Sequence, residues 1–77
     1  MAVLIVDDES EILRSLKQHC DFAGIECVTV QSPAEALKEH ALHLYPVILT
    51  DIMMPEMNGI DLVKAIKALH PTCIVFV

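Results

Sequence analysis

Short apolar runs alternate with amphipathic helical patterns along this 77-residue chain. The runs occupy residues 2–6, 25–30, 46–50 and 73–77, and their length and β-branched content are typical of strands in a buried sheet. Apolar residues recur at helical spacing in the segments between them. This βαβαβαβ order predicts one α/β domain with a parallel sheet and helices on its faces, because parallel strands need crossover connections.

Capping residues mark the expected helix boundaries. Asp8 is followed three positions later by Glu11, which is a capping-box pattern for the first helix, and Gly24 is placed to end that helix. A Ser-Pro-Ala-Glu sequence at residues 32–35 predicts the start of the second helix, since it combines an N-cap, a proline at the first turn and a glutamate at N3. The third helix is expected within residues 58–71.

The charge balance argues against direct binding of nucleic acid. The chain has 11 acidic and 5 basic side chains, for a formal net charge of −6, and its cations are scattered. A surface that follows a phosphate backbone needs clustered cations, whereas an acidic chain suits a divalent metal or a basic protein face. No secretory signal is visible, and no apolar run approaches the roughly 20 residues of a membrane span. We therefore expect a cytoplasmic protein that does not contact membranes.

The cysteines and histidines do not form a familiar metal-binding pattern. The odd number of cysteines (Cys20, Cys27 and Cys73) favours reduced thiols in the core, with a redox role or an intermolecular disulfide as the alternative. His40 and His43 share a helix face, but no cysteine or carboxylate at ligand spacing accompanies them. We interpret both histidines as solvated side chains near a helix end.

Three carboxylates are expected at the ends of neighbouring strands. Asp7 and Asp8 follow the first strand, and Asp51 ends the third. With strand order 2-1-3-4 these two strands are adjacent, and ligands of α/β sheets bind beyond the carboxyl ends of strands at such a point. Converging carboxylates favour a hard cation such as Mg²⁺, beside which a carboxylate can accept a phosphoryl group. The alternative is that these residues only cap a helix and form a turn.

Two stretches set these carboxylates in a specific pattern. Residues 4–9 are Leu-Ile-Val-Asp-Asp-Glu, and residues 48–59 are Ile-Leu-Thr-Asp-Ile-Met-Met-Pro-Glu-Met-Asn-Gly. Over essentially the whole chain, the pattern resembles the receiver domain of two-component response regulators. This resemblance implies a flavodoxin-like parallel sheet of order 2-1-3-4 and a phosphoacceptor role for Asp51. It also implies a histidine kinase, or a small phosphodonor, as the source of the phosphoryl group.

The resemblance assigns further roles around the phosphoacceptor. The implied Mg²⁺ ligands are Asp8 directly, Asp7 mainly through water, Asp51, and the backbone carbonyl of Met53. Pro55 and Gly59 are implied to shape the loop beside the phosphorylation site.

Members of this family continue past the fourth strand with a hydroxyl residue, a fifth strand that ends in a lysine, and two more helices. Residues 1–77 hold no counterpart of these parts, so we expect the N-terminal portion of a receiver domain with an incomplete sheet. Its fourth strand should present an apolar edge, which predicts self-association through that strand or through exchanged elements.

Two functional hypotheses follow from this comparison. The first is a phosphoacceptor module that is not itself an enzyme, and the second is a non-signalling fragment that dimerises. A metal-dependent phosphohydrolase is disfavoured, because Met53 stands where such an enzyme would carry a second acid.

Overall fold

The computed structural model describes residues 2–51 and 59–76. Strands and helices alternate in the order β1 (Ala2–Val6), α1 (Ser10–Ala23), β2 (Glu26–Val30), α2 (Pro33–His43), β3 (Val47–Thr50), α3 (Gly59–Leu69) and β4 (Ile74–Phe76). The strands are parallel and lie in the order β2-β1-β3-β4, which confirms the predicted flavodoxin-like sheet. Among the described helices, the longest has 14 residues, and none has both the length and the apolar character needed to cross a membrane.

Successive strand residues point to opposite sides of the sheet, so both faces carry apolar side chains. Helices cover both faces, and each face has its own buried cluster. Leu4 and Ile48 are fully buried on the face that packs against α2 and α3, together with Ile66. Ile5 lies on the other face, where it packs with Leu13 of α1. Each such side chain contributes roughly 1.5–3 kcal/mol through burial. The two clusters therefore hold the strand ends at fixed positions.

The start of α1 differs from the capping-box prediction. The helix begins at Ser10 with Glu9 as its N-cap, and no side chain caps it, so the predicted box of Asp8 and Glu11 is wrong. Instead, Oδ1 of Asp7 accepts a hydrogen bond from the Glu9 N–H at 2.9 Å. This Asx-type turn occupies the residues that a capping box would have used, and it moves the helix start to Ser10.

Two other predicted boundaries, at Gly24 and Ser32, are confirmed. Gly24 ends α1 in the left-handed conformation, with φ 74°, and its N–H donates to the carbonyls of Cys20 and Asp21. Ser32 caps α2, since its Oγ accepts the Glu35 N–H at 3.2 Å. Local sequence signals were sufficient at these positions because each bond closes within a few residues.

The interpretation of His40 as a solvated side chain is wrong. His40 is fully buried in α2, whereas His43 is exposed as expected. Residues three apart on a helix differ in direction by about 60°, which is enough to place one in the core and the other in solvent. In the core, Nδ1 of His40 accepts the N–H of Tyr45 at 3.0 Å.

In the described sheet, β4 forms one edge, and its side chains are poorly covered. Ile74 and Phe76 point to the same side of the strand and are 54% and 57% exposed. On α1, Phe22 is 96% exposed. The expected apolar edge is therefore present, and self-association through it stays a prediction.

Candidate functional site at the carboxyl edge of the sheet

The adjacent strands β1 and β3 bring the predicted carboxylates to one place. Val6 pairs with Thr50 at the end of the ladder, so Asp7 and Asp51 leave the sheet side by side. The backbone continues this pairing, because the Asp51 N–H donates to the Val6 carbonyl at 3.0 Å. On the other side of β1, the Asp7 N–H donates to the carbonyl of Val30 at 3.2 Å. The backbone beneath the site is thus held by both neighbouring strands.

The three carboxylates converge. One carboxylate oxygen from each of Asp7, Asp8 and Asp51 lies within 4.8 Å of the other two. Asp8 is exposed and Asp51 is half-buried, so the group opens to solvent. The structure therefore brings together the aspartates that the strand order was expected to unite, while their roles remain predictions.

The donor set suits a hard divalent cation. Three carboxylates at this separation repel one another, and a cation removes that repulsion. Carboxylate oxygens are the ligands that Mg²⁺ and Ca²⁺ prefer, whereas softer metals favour nitrogen and sulfur. Ligands on an octahedral Mg²⁺ lie roughly 3–4 Å apart, so rotation of the exposed Asp8 side chain would close the remaining distance. The residues present fit the implied ion.

Two hydrogen bonds organise the immediate surroundings of the carboxylates. The bond from the Glu9 N–H orients the carboxylate of Asp7, and the buried Thr50 donates its hydroxyl to the Asp51 carbonyl at 3.1 Å. Sequence reasoning missed the role of the Glu9 N–H. An aspartate two residues before the N-cap is the available signal, but the capping-box pattern gives the capping role to Asp8 instead.

Two predicted site positions lie outside the described residues. Met53 and Pro55 belong to this group, so the proposed carbonyl ligand and one loop-shaping residue stay predictions. Gly59 is the first residue of α3, and its role in the loop likewise stays a prediction.

A second group of side chains meets at the opposite ends of the strands, where the strands begin; we call this the amino edge of the sheet. One ligand atom from each of His40, His70 and Cys73 lies within 4.8 Å of the other two. Burial lowers the pKa of His40, with a further contribution from His70, and burial raises the pKa of the Cys73 thiol. Sequence reasoning did not connect these residues, although His70 and Cys73 stand three positions apart just after the third helix.

Comparisons with known proteins give consistent results over nearly all of the chain. A family model described as the response regulator receiver domain matches residues 3–77. The chain is 42% identical over 69 residues to the DNA-binding transcriptional regulator NtrC of Escherichia coli K12, a match that covers 90% of this chain and 15% of NtrC. The chain therefore spans a small part of that relative's length.

Solved structures with the same fold cover nearly all of the chain. A receiver domain protein from Clostridium thermocellum is 33% identical with a TM-score of 0.90, and the match covers 96% of this chain and 60% of that one. A complex of the histidine kinase ThkA with the response regulator TrrA matches at 30% identity and TM-score 0.90, over 96% and 64% of the two chains. The beryllofluoride-activated NtrC4 receiver domain dimer matches at 34% identity and TM-score 0.89, over 96% and 61%.

Proposed function

Because the chain belongs to the response regulator receiver domain family, we propose that it is a phosphoacceptor module of a two-component phosphorelay. In this proposal Asp51 accepts a phosphoryl group from a histidine kinase. The observation that carries it is the convergence of Asp51 with Asp7 and Asp8 within 4.8 Å at the carboxyl edge of the sheet. The chain would be the acceptor in the transfer rather than an enzyme that turns over a free substrate.

The proposed transfer uses the side chain of Asp51 as a nucleophile. One carboxylate oxygen attacks the phosphorus of a phosphohistidine, the new O–P bond forms, and the P–N bond breaks. The departing imidazole nitrogen keeps the electron pair of that bond. The hydrogen bond from the Asp51 N–H to Val6 fixes the backbone at the end of β3, which holds the nucleophile at the solvent-facing end of the strand.

Asp7, Asp8 and Asp51 are the described residues that would hold Mg²⁺. When bound, the ion would offset the charge of the carboxylates and of the phosphoryl oxygens. The chain's own contribution is to keep the Asp7 carboxylate oriented through the Glu9 N–H and to leave Asp8 outside the helix cap.

The partner and the compartment follow from the same proposal. The ThkA–TrrA complex shows that a protein similar to this chain binds a histidine kinase, which supports a kinase as the phosphodonor. The three cysteines are free thiols, which supports a reducing compartment such as the cytoplasm.

A small acyl phosphate tests the proposal directly. We expect incubation with Mg²⁺ to add the mass of one phosphoryl group, through a bond that is stable in acid and labile in base. Asp51→Asn should abolish the gain, since the amide is not a nucleophile, and a chelator should abolish it in the parent chain. Asp61→Asn, which changes an exposed carboxylate on α3, is the matched control and should keep the gain. A parent chain that shows no mass gain would contradict the proposal.

A second candidate function is self-association, and the exposed side chains of β4 favour it. Ile74 and Phe76 lie at a sheet edge that can add another strand, and a similar receiver domain forms a dimer. Light scattering during dilution of the 77-residue chain should show a dimer that Phe76→Ser weakens. Leu42→Ser changes an equally exposed apolar residue on α2 and should leave the dimer intact. A compact monomer at low micromolar concentration would refute this candidate.

A further inference from the structure

A buried group of metal-ligating side chains lies at the edge of the sheet opposite the carboxylates. His40 lies near the end of α2, His70 directly follows α3, and Cys73 directly precedes β4. His40 and Cys73 are 0% exposed, and His70 is half-buried. The length of β3, about 13 Å at 3.3 Å per residue, separates this group from Asp51. The group is therefore a separate location from the proposed phosphoacceptor site.

Two ring nitrogens in this group are buried and lack hydrogen-bond partners. They are Nε2 of His40 and Nδ1 of His70, and no other buried side-chain nitrogen or oxygen is unsatisfied in the part of the chain that the structure describes. The two imidazole rings stack with centroids 5.4 Å apart. Buried polar atoms in folded proteins are nearly always paired, so two unpaired nitrogens on stacked rings beside a buried thiol point to a missing partner.

Local structure holds the three side chains in place. The Cys73 N–H donates to the His70 carbonyl at 3.0 Å, which closes a tight turn and fixes the spacing of these two residues. The His70 N–H donates to the Ile66 carbonyl at 2.9 Å, and this bond connects the turn to the end of α3. In the metal-free chain Tyr45 holds both other side chains, since its N–H donates to Nδ1 of His40 and its carbonyl accepts the Cys73 thiol at 3.2 Å.

We propose that His40, His70 and Cys73 bind Zn²⁺ or a chemically similar divalent transition-metal ion. Imidazole nitrogen and thiolate sulfur are the preferred ligands of such ions, and three protein ligands leave a fourth position for water. Tetrahedral ligands around Zn²⁺ lie roughly 3.3–3.7 Å apart, given bonds of about 2.0–2.3 Å. Closing the observed separation of up to 4.8 Å requires a movement of about 1 Å, and the half-buried His70 is the least enclosed of the three side chains.

The proton changes on binding can be written for each ligand. Cys73 loses its thiol proton to solvent and binds as the thiolate. His70 binds through Nδ1 and carries its proton on Nε2. His40 carries its proton on Nε2 in the metal-free chain, because Nδ1 accepts from Tyr45, so binding through Nε2 moves that proton to Nδ1. One proton is released per metal ion, the Tyr45 N–H must leave its acceptor, and the Cys73 thiol gives up its hydrogen bond to the Tyr45 carbonyl.

Cobalt provides a readout that is specific for the sulfur ligand. We expect titration of the reduced, metal-free chain with Co²⁺ to produce a thiolate-to-cobalt absorption band that saturates at one equivalent, and added Zn²⁺ to remove it. The test is run with Mg²⁺ in excess, so that oxygen ligands at the carboxyl edge do not compete. In a ¹⁵N-labelled sample, Zn²⁺ should shift the Tyr45 amide signal strongly.

Variants assign the band to the proposed ligands. His70→Ala and Cys73→Ala should each weaken Co²⁺ binding at least about tenfold, since removal of a second-shell partner alone costs that much. Cys27→Ala and His43→Ala change a buried cysteine and an exposed histidine outside the group, and should bind as the parent does. His70 is half-buried, so its variant should fold even if Cys73→Ala does not, and circular dichroism checks both.

Two results would overturn the proposal. One is the absence of a thiolate band at saturating Co²⁺, and the other is parent-like binding by His70→Ala. The outcome is independent of phosphorylation, because Asp51→Asn should abolish the phosphoryl mass gain while the cobalt band remains.

Discussion

The two edges of the sheet gather side chains by the same topology but place them in opposite environments. At the carboxyl edge, Asp8 is exposed and Asp51 is half-buried, so charged oxygens remain in contact with solvent. At the amino edge, His40 and Cys73 are fully buried. Each set has its ligand atoms within 4.8 Å of one another, so the difference lies in burial and chemistry rather than in spacing.

This contrast shows how burial selects the groups that can converge. A carboxylate is charged at neutral pH and is costly to bury, so converging carboxylates need access to water or a cation. An imidazole and a thiol can be neutral, and burial shifts both of their pKa values towards the neutral form. The same fold can therefore offer oxygen ligands at one edge and nitrogen and sulfur ligands at the other.

We expect the largest change in the free energy of unfolding from a substitution in the core that holds both edges. Ile48 is fully buried in the middle of β3, so Ile48→Ala should lower the free energy of unfolding by about 2–5 kcal/mol through lost burial and a cavity. Urea denaturation measures this change. Ile60→Ala, at an exposed position, should change stability by about 0.5 kcal/mol or less. Equal losses in the two variants would contradict the placement of Ile48 in the common core.

The next effect distinguishes the edges by pH. The pKa of His40 is lowered because the side chain is buried and faces His70. Above the unfolded pKa of about 6.5 the ring is neutral in both the folded and the unfolded chain, so proton binding then costs the folded chain no stability. As the pH falls through and below that value the unfolded chain binds the proton first, and stability should fall by up to about 1.4 kcal/mol per pH unit. Denaturation at pH 7.5, 6.5 and 5.5 measures the slope.

Two variants isolate this pH dependence. His40→Asn keeps an oxygen that can accept the Tyr45 N–H but cannot titrate, so the slope in this range should decrease. Gln18→Asn changes an exposed side chain that does not titrate and should keep the parent slope. An unchanged slope in His40→Asn would assign the pH dependence to other groups.

A smaller effect concerns a hydrogen bond beside the amino edge. The Tyr45 hydroxyl donates to Oε1 of Glu39 at 2.6 Å, and burial followed by this bond raises the pKa of Tyr45 to about 12. Tyr45→Phe should cost about 1 kcal/mol at neutral pH, measured by urea denaturation. The raised pKa stabilises the fold below about pH 10 and that contribution is lost as the pH rises towards 12, so the variant should lose less stability over that range. A variant as alkali-sensitive as the parent would contradict this assignment.

The smallest effect tests the carboxyl edge. Asp8→Asn removes one of three converging charges, so the metal-free protein should gain from a few tenths to about 1 kcal/mol of stability. The same change should reduce the stabilisation that added Mg²⁺ provides. Glu26→Gln, at the start of β2 and away from this edge, should do neither. If both variants responded to Mg²⁺ alike, the ion would not be bound at the three aspartates.

Local patterns in the sequence were sufficient for most of the framework. The alternation of apolar runs and helical spacing predicted each strand and helix, because burial on one or two faces leaves a periodic trace. The caps at Gly24 and Ser32 were also predictable, since their bonds close within a few residues. The positions of Asp7 and Asp51 at strand ends followed from the same patterns, and the strand order came from the resemblance to receiver domains.

Tertiary structure alone decided which side chains meet when their elements are far apart in sequence. Whether His40 faces solvent or core depends on how α2 packs against α3, and its spacing from His43 is compatible with either. The meeting of His40 with Cys73 depends on two crossovers that return the chain to the same edge. Periodicity records the face that a residue presents, but it carries no information about which distant residue packs against that face, and for that reason the second group of ligands emerged only from the folded chain.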